Sequence, residues 1–456
     1  MARALELPQR FILPRFELSP AQTITVGFAS VILAGGILLS LPIASSTGQG
    51  TPFLDALFTA TSATCVTGLV VVDTADHYSR FGQLVILALI QLGGLGYMAA
   101  ATLLALLFGR RIGLQGRLAL QEAYGLDRPG GVVRLTRSIL LITLVIEGTG
   151  AALLALRWIP EFGLGKGIYY GIFHAVSAFN NAGFDLMGGF RSLTGYVNDT
   201  AVNLIITSLI IVGGLGYIVL LELPSLRRPG RRPSLHAMIV LVTTFGLIAA
   251  GTVLILLLEG RNPNTLGRLS WPGRLLAAYF QSVTPRTAGF NTVDIGKMSE
   301  PALFIVVALM FIGASPGGTG GGIKTTTFSS LFAPILAVVR GYQDADLFSR
   351  RIPPLVIYKA LTIVLISIAF VFTMAVALTL VQPKAGFLPA LLEIVSAFGT
   401  VGLSTGITPH LPAAGKIIVM LTVFGGRVGL LTLVLALRGR QRRVLVRYPE
   451  ESVLVG

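Results

Sequence analysis

Long stretches without Asp, Glu, Lys or Arg alternate with shorter charged connections along the whole chain. Five of these stretches are uninterrupted and exceed the roughly 18–20 residues that cross a bilayer as a helix, namely 22–43, 81–108, 201–221, 235–258 and 360–381. Residues 138–156 and 417–437 add two more, each with one internal charge, Glu147 and Arg427 respectively. Residues 301–323 begin as an eighth and then become rich in glycine. The pattern predicts an all-α polytopic membrane protein with eight transmembrane spans.

A shorter kind of apolar segment follows the first, third, fifth and seventh spans. These segments contain about 10–12 residues, which is too few to cross a bilayer, and such helices between full spans are typically re-entrant. They cover residues 53–63, 169–179, 275–284 and 387–398. Each leads into a similar short phrase, and the last glycines of the four phrases are Gly68, Gly183, Gly289 and Gly402.

A second glycine phrase recurs in the span after each short helix, at residues 93–97, 213–217, 317–320 and 425–429. The chain therefore encodes four copies of span, short helix, glycine loop and span, and an internal repeat is a stronger signal than any local motif. We predict pore repeats at 22–108, 134–222, 235–340 and 355–437, the third with a broken second span. The four repeats would surround a pseudo-fourfold pore, with cytoplasmic termini at 1–21 and 438–456.

Composition and charge agree with a membrane protein. Apolar residues make up 53% of the 456 residues and charged residues only 12%, with a mean hydropathy of +0.80, which makes a soluble enzyme improbable. The net charge of +15 is concentrated before the first span, after every second span and at the end of the chain. The positive-inside rule then predicts that both termini lie on the cytoplasmic side of the cell membrane. Each basic run adjoins a span, so nucleic-acid binding is disfavoured.

The repeated glycine loops suggest a site for a cation. Irregular backbone at membrane depth occurs where it is buried in protein or lines a watery path. Four loops that meet on one axis can present backbone carbonyls to a dehydrated ion, and the short helices would point their partially negative ends at it. Glycine permits the positive φ that turns successive carbonyls inward. The alternative is that these glycines only permit close helix packing.

These motifs resemble those of the Trk/Ktr/HKT potassium transporters. The resemblance rests on the four span–short helix–span repeats, the four loops, residues 311–327 and the phrase Gly426-Arg-Val-Gly429. The short stretch before the first span and the closing residues 448–456 are most similar to the Ktr-type membrane subunit. The resemblance implies potassium uptake by a homodimeric pore protein. It also implies regulation by a cytosolic ring of RCK-type subunits that bind the nucleotide, so that this chain binds none.

The family resemblance also implies which residues hold the ion. Carbonyls beside the four glycines would coordinate K⁺, and family members that prefer sodium often carry serine at the first of these glycines, here Gly68. Three acids just past the loops, Asp73, Asp185 and Asp294, could concentrate cations at the outer mouth or simply cap turns. The expected filter residues are Val66, Thr67, Gly68, Asn181, Ala182, Gly183, Thr287, Ala288, Gly289, Thr400, Val401 and Gly402.

A gate is expected in the broken sixth span. Residues 313–322 contain six glycines and Pro316, all of which disfavour helix, so we expect helix over 301–312 and again over 328–339. The unwound segment would lie below the filter and open or close the path, or it would be a passive break. Arg427 would act there as a barrier or latch, or as a tether to carbonyls or a carboxylate. The expected gate residues are Gly317, Gly318, Gly320, Gly321, Lys324 and Arg427.

Other classes of protein explain the sequence less well. An ATPase would need Gly-Lys-Ser/Thr after a strand, whereas Ile323 separates Gly322 from Lys324 inside an apolar span. The four histidines show no metal-ligand spacing. A secondary transporter with inverted repeats would show two related halves of opposite topology rather than four copies in one orientation. Sodium-selective or sodium-coupled transport within the same architecture remains open, and Glu147 is expected to serve helix packing or an ion pair.

Overall fold

The computed structural model describes residues 19–96, 132–227, 232–342, 344–438 and 451. The second half of the second span, the basic connection after it and most of both termini therefore lie outside the described residues. Numbered in chain order over the described residues, the helices are α1 (Pro20–Ser40), α2 (Phe53–Thr64), α3 (Thr74–His77), α4 (Arg80–Gly94), α5 (Val132–Phe162), α6 (Leu164–Phe179), α7 (Thr200–Leu215), α8 (Tyr217–Glu222), α9 (Leu235–Glu259), α10 (Trp271–Val283), α11 (Glu300–Phe311), α12 (Thr325–Val339), α13 (Pro354–Val381), α14 (Phe387–Gly399), α15 (Ala413–Val428) and α16 (Leu430–Arg438).

Short 3₁₀ turns connect several of these helices. They comprise Pro42–Ala44, Thr194–Tyr196, Leu223–Arg227, Leu266–Arg268, Ile295–Lys297, Pro383–Ala385 and Thr408–His410. A small antiparallel hairpin, β1 (Asp346–Leu347) and β2 (Arg350–Arg351), lies between α12 and α13 and pairs Asp346 with Arg351. The described part of the molecule is therefore almost entirely helical, as the apolar pattern predicts.

The long helices α1, α5, α9 and α13 lie where the first spans of the four repeats are predicted. Each contains a segment of at least 20 residues that is long and apolar enough to cross a membrane. Their starts are set by local chemistry: Ser19 and Gln22 form a capping box on α1, and the Ser234 hydroxyl accepts a hydrogen bond from Ala237 N at the start of α9. Large apolar side chains stay exposed along them, including Leu141, Leu257 and Leu380, which suits lipid rather than water.

Two of the predicted second spans, the fourth and the eighth, are broken by a bend or a glycine, which the apolar pattern did not predict. Helices α7 and α8 meet at Gly216 with a bend of 95° between the two segments, and α15 and α16 meet at Gly429. Both glycines have left-handed φ, 90° and 88°, a conformation that ends a helix and disfavours other residues. Over the described residues, four helices qualify as spans by length and composition, or five if the bent pair counts as one. The total of eight spans stays a prediction.

The four short helices lie inside the molecule. Helices α2, α6, α10 and α14 bury half or more of their residues. Helices α2 and α14 match the predicted segments closely, whereas α6 starts earlier, at Leu164, and α10 at Trp271. Phe58, Phe173 and Phe280 are almost completely buried within three of them. The short helices thus form the core, and each delivers its C-terminal end to the centre of the protein.

Candidate ion pathway

The four glycine loops share one backbone conformation. In each loop the glycine has left-handed φ, and so does the residue two positions before it. These residues are Val66 (51°) and Gly68 (91°), Asn181 (58°) and Gly183 (68°), Thr287 (72°) and Gly289 (80°), and Thr400 (49°) and Gly402 (94°). Val and Thr rarely adopt such a φ, because their branched Cβ clashes with the backbone. Asn181 adopts it more readily, but the three β-branched exceptions at matched positions show that the surroundings impose this geometry on the loops.

Hydrogen bonds to the preceding short helix fix each loop. The amide of Thr67 bonds to the Ser62 carbonyl at 2.7 Å, and Ala182 and Val401 repeat this bond with Ser177 and Ser396, both at 2.8 Å. In the third loop Thr284 takes this place: its carbonyl accepts from Ala288 N at 3.0 Å and its hydroxyl donates to Phe290 O. Our sequence interpretation missed these anchors.

The serine hydroxyls add a second contact to the loops. Those of Ser62 and Ser396 accept from the filter glycine amides at 3.0 Å, while Ser177 donates to Phe184 O at 2.7 Å. The available signal was a serine six residues before the glycine in three of the four copies.

The loops lie side by side in a closed ring. A Cβ on Gly68 would lie 2.5 Å from the carbonyl oxygen of Ala182, in the second loop. A Cβ on Gly183 would lie 2.7 Å from Ala288 O, and one on Gly289 would lie 2.5 Å from Val401 O. A Cβ on Gly402 would collide with Thr67 O, which returns to the first loop. The structure thus brings all twelve predicted filter residues together, with the eight that are not glycine fully buried.

A cavity of about 450 Å³ lies on one side of the ring. Its lining includes all four filter glycines and the three acids that the sequence singled out. Each acid also caps a turn: Asp73 accepts from Ala75 N and Asp76 N, Asp185 from Met187 N, and Asp294 from Gly296 N. Both predicted roles, a charged mouth and turn capping, are therefore compatible with the same side chains.

The surroundings of Asp185 change the ionisation of its carboxyl. Its burial raises the pKa of the carboxyl to about 7, and the nearby Asp73 charge acts in the same direction. The hydrogen bond from Met187 N and the charge of Arg191 oppose this rise without cancelling it. Asp185 therefore changes charge near neutral pH.

A second cavity, of about 370 Å³, is lined by five of the six predicted gate residues. Gly317, Gly318, Gly320, Lys324 and Arg427 contribute to its wall. The sixth, Gly321, points instead at the filter, where its amide bonds to the Thr400 hydroxyl at 3.1 Å. The segment between α11 and α12, residues 312–324, which we call the gate loop, thus separates this cavity from the ring.

The gate loop is irregular but well connected. Its two ends pair through a bond from Gly313 N to Ile323 O at 2.9 Å. The break at Gly216 receives it: Ser315 N bonds to Gly214 O at 2.9 Å, and Tyr217 N bonds to Gly317 O at 3.0 Å. The predicted loss of helix after 312 is confirmed, whereas α12 resumes at Thr325, three residues earlier than expected.

Two cations contact the gate loop. Lys324 Nζ donates to the carbonyl of Gly320 at 2.6 Å. Arg427, in the last turn of α15, donates through Nη1 to Thr319 O and through Nη2 to Gly93 O in α4. The guanidinium thus joins the eighth span to the second span and to the gate loop, as the tether to backbone carbonyls would require.

The apolar helices and the buried ring of loops are typical of a membrane transport protein. A family model described as TrkH, cation transport protein, matches residues 20–442, and the chain belongs to this family. The predicted resemblance is confirmed, as is the expectation that the chain is not an enzyme.

Among curated relatives, Ktr system potassium uptake protein B of Bacillus subtilis is 43% identical over 96% of this chain and 97% of its own. The protein of the same name from Vibrio alginolyticus is 41% identical over 95% of this chain and 94% of its own. Potassium/sodium uptake protein NtpJ of Enterococcus hirae is 42% identical over 97% of this chain and 98% of its own. The solved structure of the potassium transporter TrkH from Vibrio parahaemolyticus matches with a TM-score of 0.72 at 16% identity, covering 94% of this chain and 87% of that one, which supports the fold.

Proposed function

We propose that this chain is the potassium-conducting membrane subunit of a Ktr-type uptake system. The observation that carries the proposal is the closed ring of four loops, each with the same two left-handed residues and each beside the carbonyl of the next. Two relatives above 40% identity over nearly the whole chain are named as Ktr system potassium uptake proteins. In this proposal four pore repeats, with eight spans in all, surround a pseudo-fourfold axis.

The ring selects potassium by replacing its water shell with carbonyl oxygens. Left-handed φ at alternate residues turns successive carbonyls toward the axis, and the C-terminal ends of α2, α6, α10 and α14 supply partial negative charge. The twelve filter residues supply these carbonyls in three layers of four residues. The first layer consists of Val66, Asn181, Thr287 and Thr400. Gly68 favours potassium over sodium, since its missing Cβ leaves room beside Ala182 O.

The gate loop controls the exit from the ring. Gly320 lies against the Thr287 side chain and Gly321 against Thr400, so the loop stands directly beneath the third and fourth filter loops. Lys324 and Arg427 hold positive charge at the wall of the inner cavity, where it opposes a cation that leaves the filter. Displacement of the loop clears this route, and its glycines lower the free energy needed to change the backbone conformation.

The regulatory part of the system is a separate protein. The chain forms a homodimer in the cell membrane with both termini in the cytoplasm, and a cytosolic ring of RCK-type subunits docks on its basic connections. Those subunits bind the nucleotide, while this chain binds potassium. The basic runs on alternate connections support this arrangement, as does the similarity to relatives that belong to a Ktr system.

Ion flux into liposomes that contain the purified chain tests the function, with potassium and sodium varied separately. We expect potassium uptake that exceeds sodium uptake when both are offered at equal concentration. Absence of potassium flux, with or without a cytosolic partner, would overturn the proposal. Sodium flux equal to potassium flux, or potassium flux that requires sodium, would favour the sodium alternative that the name of the Enterococcus relative suggests.

A further inference from the structure

Glu147 is an acid in the middle of α5 and is only 6% exposed. Its Oε1 accepts a hydrogen bond from Asn180 Nδ2 at 2.8 Å, and its Oε2 accepts one from Gln91 Nε2 at 3.2 Å. Among the described residues no Lys, Arg or His forms an ion pair with it. Of the two roles expected for Glu147, helix packing or an ion pair, the described contacts fit the first: two amide donors from neighbouring helices compensate the buried acid.

Asn180 connects this acid to the filter. It caps the C-terminal end of α6 and immediately precedes Asn181, the first residue of the second filter loop. Besides Glu147, its Nδ2 lies 3.0 Å from Gln91 Oε1 and 2.9 Å from Val176 O. One fully buried side chain thus links the second span, the third span and a short helix at the point where that helix becomes the filter.

The Asn180 side chain has little freedom to move. Gly94 of α4 packs so closely against Asn180 Oδ1 that a Cβ there would collide with it. Only the second loop is held in this way over the described residues, because the corresponding positions three residues before the other glycines are Cys65, Arg286 and Gly399. Over the described residues, neither Cys65 nor Arg286 forms a comparable side-chain hydrogen bond and Gly399 has no side chain. Asn180 Nδ2, in contrast, lies near three acceptors, and Gly94 packs against its Oδ1.

We propose that Glu147 and Gln91 form a clamp that positions Asn180, and that this clamp sets potassium-over-sodium discrimination through the second filter loop. Glu147 is in this scheme a positioning residue that never touches the ion. A ring of carbonyls discriminates by the number and placement of its oxygens, so a shift of one loop weakens discrimination. The inference rests on the proposed function of the ring.

The test measures potassium and sodium flux in liposomes for Glu147→Ala, Glu147→Gln and Asn180→Ala. Removal of one partner leaves a buried group unsatisfied, and we expect the potassium-to-sodium flux ratio to fall on the order of tenfold for both alanine variants. In the double variant, Glu147→Ala with Asn180→Ala, the potassium-to-sodium flux ratio should fall no further than in either single variant, because both changes release the same loop. Glu147→Gln keeps the shape and one acceptor, so it should retain part of the ratio.

The matched control is Glu222→Gln, at the junction of α8 and α9. Glu222 also accepts two hydrogen bonds, from Ser234 N at 2.6 Å and Ser234 Oγ at 2.7 Å, but it lies outside both the filter and the clamp. The potassium-to-sodium flux ratio of the Glu222→Gln variant should match that of the unmodified protein. If Glu147→Ala fails to fold, Glu147→Gln and Asn180→Ala decide the question.

Two outcomes separate the clamp from the function on which it rests. Unchanged ratios in Glu147→Gln and Asn180→Ala, together with a lowered ratio in Gly183→Ser, would overturn the clamp and leave the filter in place. An unchanged ratio in Gly183→Ser as well would overturn the filter itself. A general loss of flux with the ratio preserved would also reject the clamp, since a merely structural defect reduces both ions equally.

Discussion

The guanidinium of Arg427 donates a hydrogen bond to the carbonyl oxygen of Thr319, which joins the eighth span to the gate loop. Thr319 in turn donates its hydroxyl to Phe179 O, at the end of the second short helix, at 3.2 Å. One residue of the gate loop therefore contacts both a fixed cation and the base of the filter. Because this pair joins the loop to a charged side chain of α15, it offers a direct way to perturb the loop.

Replacement of Arg427 by alanine should release the gate loop and raise potassium flux in the absence of any activating partner. The change removes two hydrogen bonds to carbonyls and one positive charge from the inner cavity, and a charged hydrogen bond contributes about 1.5–3 kcal/mol. We expect a rise of at least severalfold in liposome flux assays. The Arg427→Lys variant keeps the charge but can form fewer hydrogen bonds, so its potassium flux should lie between those of Arg427→Ala and the unmodified protein. A folded Arg427→Ala protein with unchanged flux would show that the contact is only structural.

Much of this architecture could be predicted, because the same helix and loop boundaries recur in each copy of the sequence repeat. The helix α2 ends one residue beyond the predicted segment and α14 does likewise, since in each copy the loop residues cannot continue the helix. The gate loop was equally visible, because glycine and proline disfavour helix whatever surrounds them. Local chemistry decides these features.

Features that depend on distant contacts could not be predicted. Gly216 has left-handed φ at the break in the predicted fourth span, and Pro316 O approaches it so closely that a Cβ would lie at 2.5 Å. The sequence around residue 216 does not indicate this contact with a distant loop. The early start of α6 follows a left-handed Gly163 in an otherwise ordinary connection. Of the two partners of Glu147, Gln91 comes from the preceding repeat and Asn180 from the end of the short helix in its own repeat. A pattern read along one segment carries no information about which buried side chains will meet.

Gly68→Ser should admit sodium. A side chain at this position would crowd Ala182 O and would oppose the φ of 91°, so the first loop should move out of the ring. We expect the potassium-to-sodium flux ratio to fall by roughly tenfold, the factor for about 1.4 kcal/mol. Gly48→Ser is the control, since Gly48 also has left-handed φ (73°) but no atom within 4 Å of a new Cβ. Equal ratios in the two variants would reject the assignment of Gly68.

Potassium uptake should depend on external pH through Asp185. Its raised pKa, about 7, means that the carboxyl is mostly protonated below that pH and mostly charged above it. Because a negative charge in the outer cavity concentrates cations, the apparent KM for potassium should fall as pH rises from roughly 6 to 8. We expect the apparent KM to change about fivefold, which corresponds to an interaction free energy of about 1 kcal/mol between the carboxylate and the cation.

The Asp185→Asn variant provides the control for this pH dependence. It should show the high apparent KM at every pH in that range, because its amide does not ionise. Arg191, Asp73, Asp294 and Lys297 also line the outer cavity, so each must be kept in the variant. A pH profile that is the same in Asp185→Asn and the unmodified protein would assign the titration to another group.

Nucleotide control should require a second protein. Detergent-purified chain, bound through a tag to a resin, should retain a soluble nucleotide-binding subunit, and this retention should weaken with salt because the proposed docking runs are basic. Replacement of Arg350 and Arg351 in the hairpin by glutamate should lower retention, since both side chains are exposed. Flux by the purified chain that responds to nucleotide without any partner would contradict this arrangement.

Deletion of residues 317–321 should raise unregulated potassium flux while the filter stays selective. The deletion removes the loop from beneath the ring together with its contacts to Gly213, Thr400 and Arg427. The filter should persist because each of its loops is fixed mainly by its own short helix, as the 2.7 Å bond between Thr67 N and Ser62 O illustrates. Flux without the cytosolic partner should therefore approach the activated flux of the intact protein, with an unchanged potassium-to-sodium ratio. A deleted protein that folds, assembles and still conducts only when its partner activates it would show that the gate lies elsewhere.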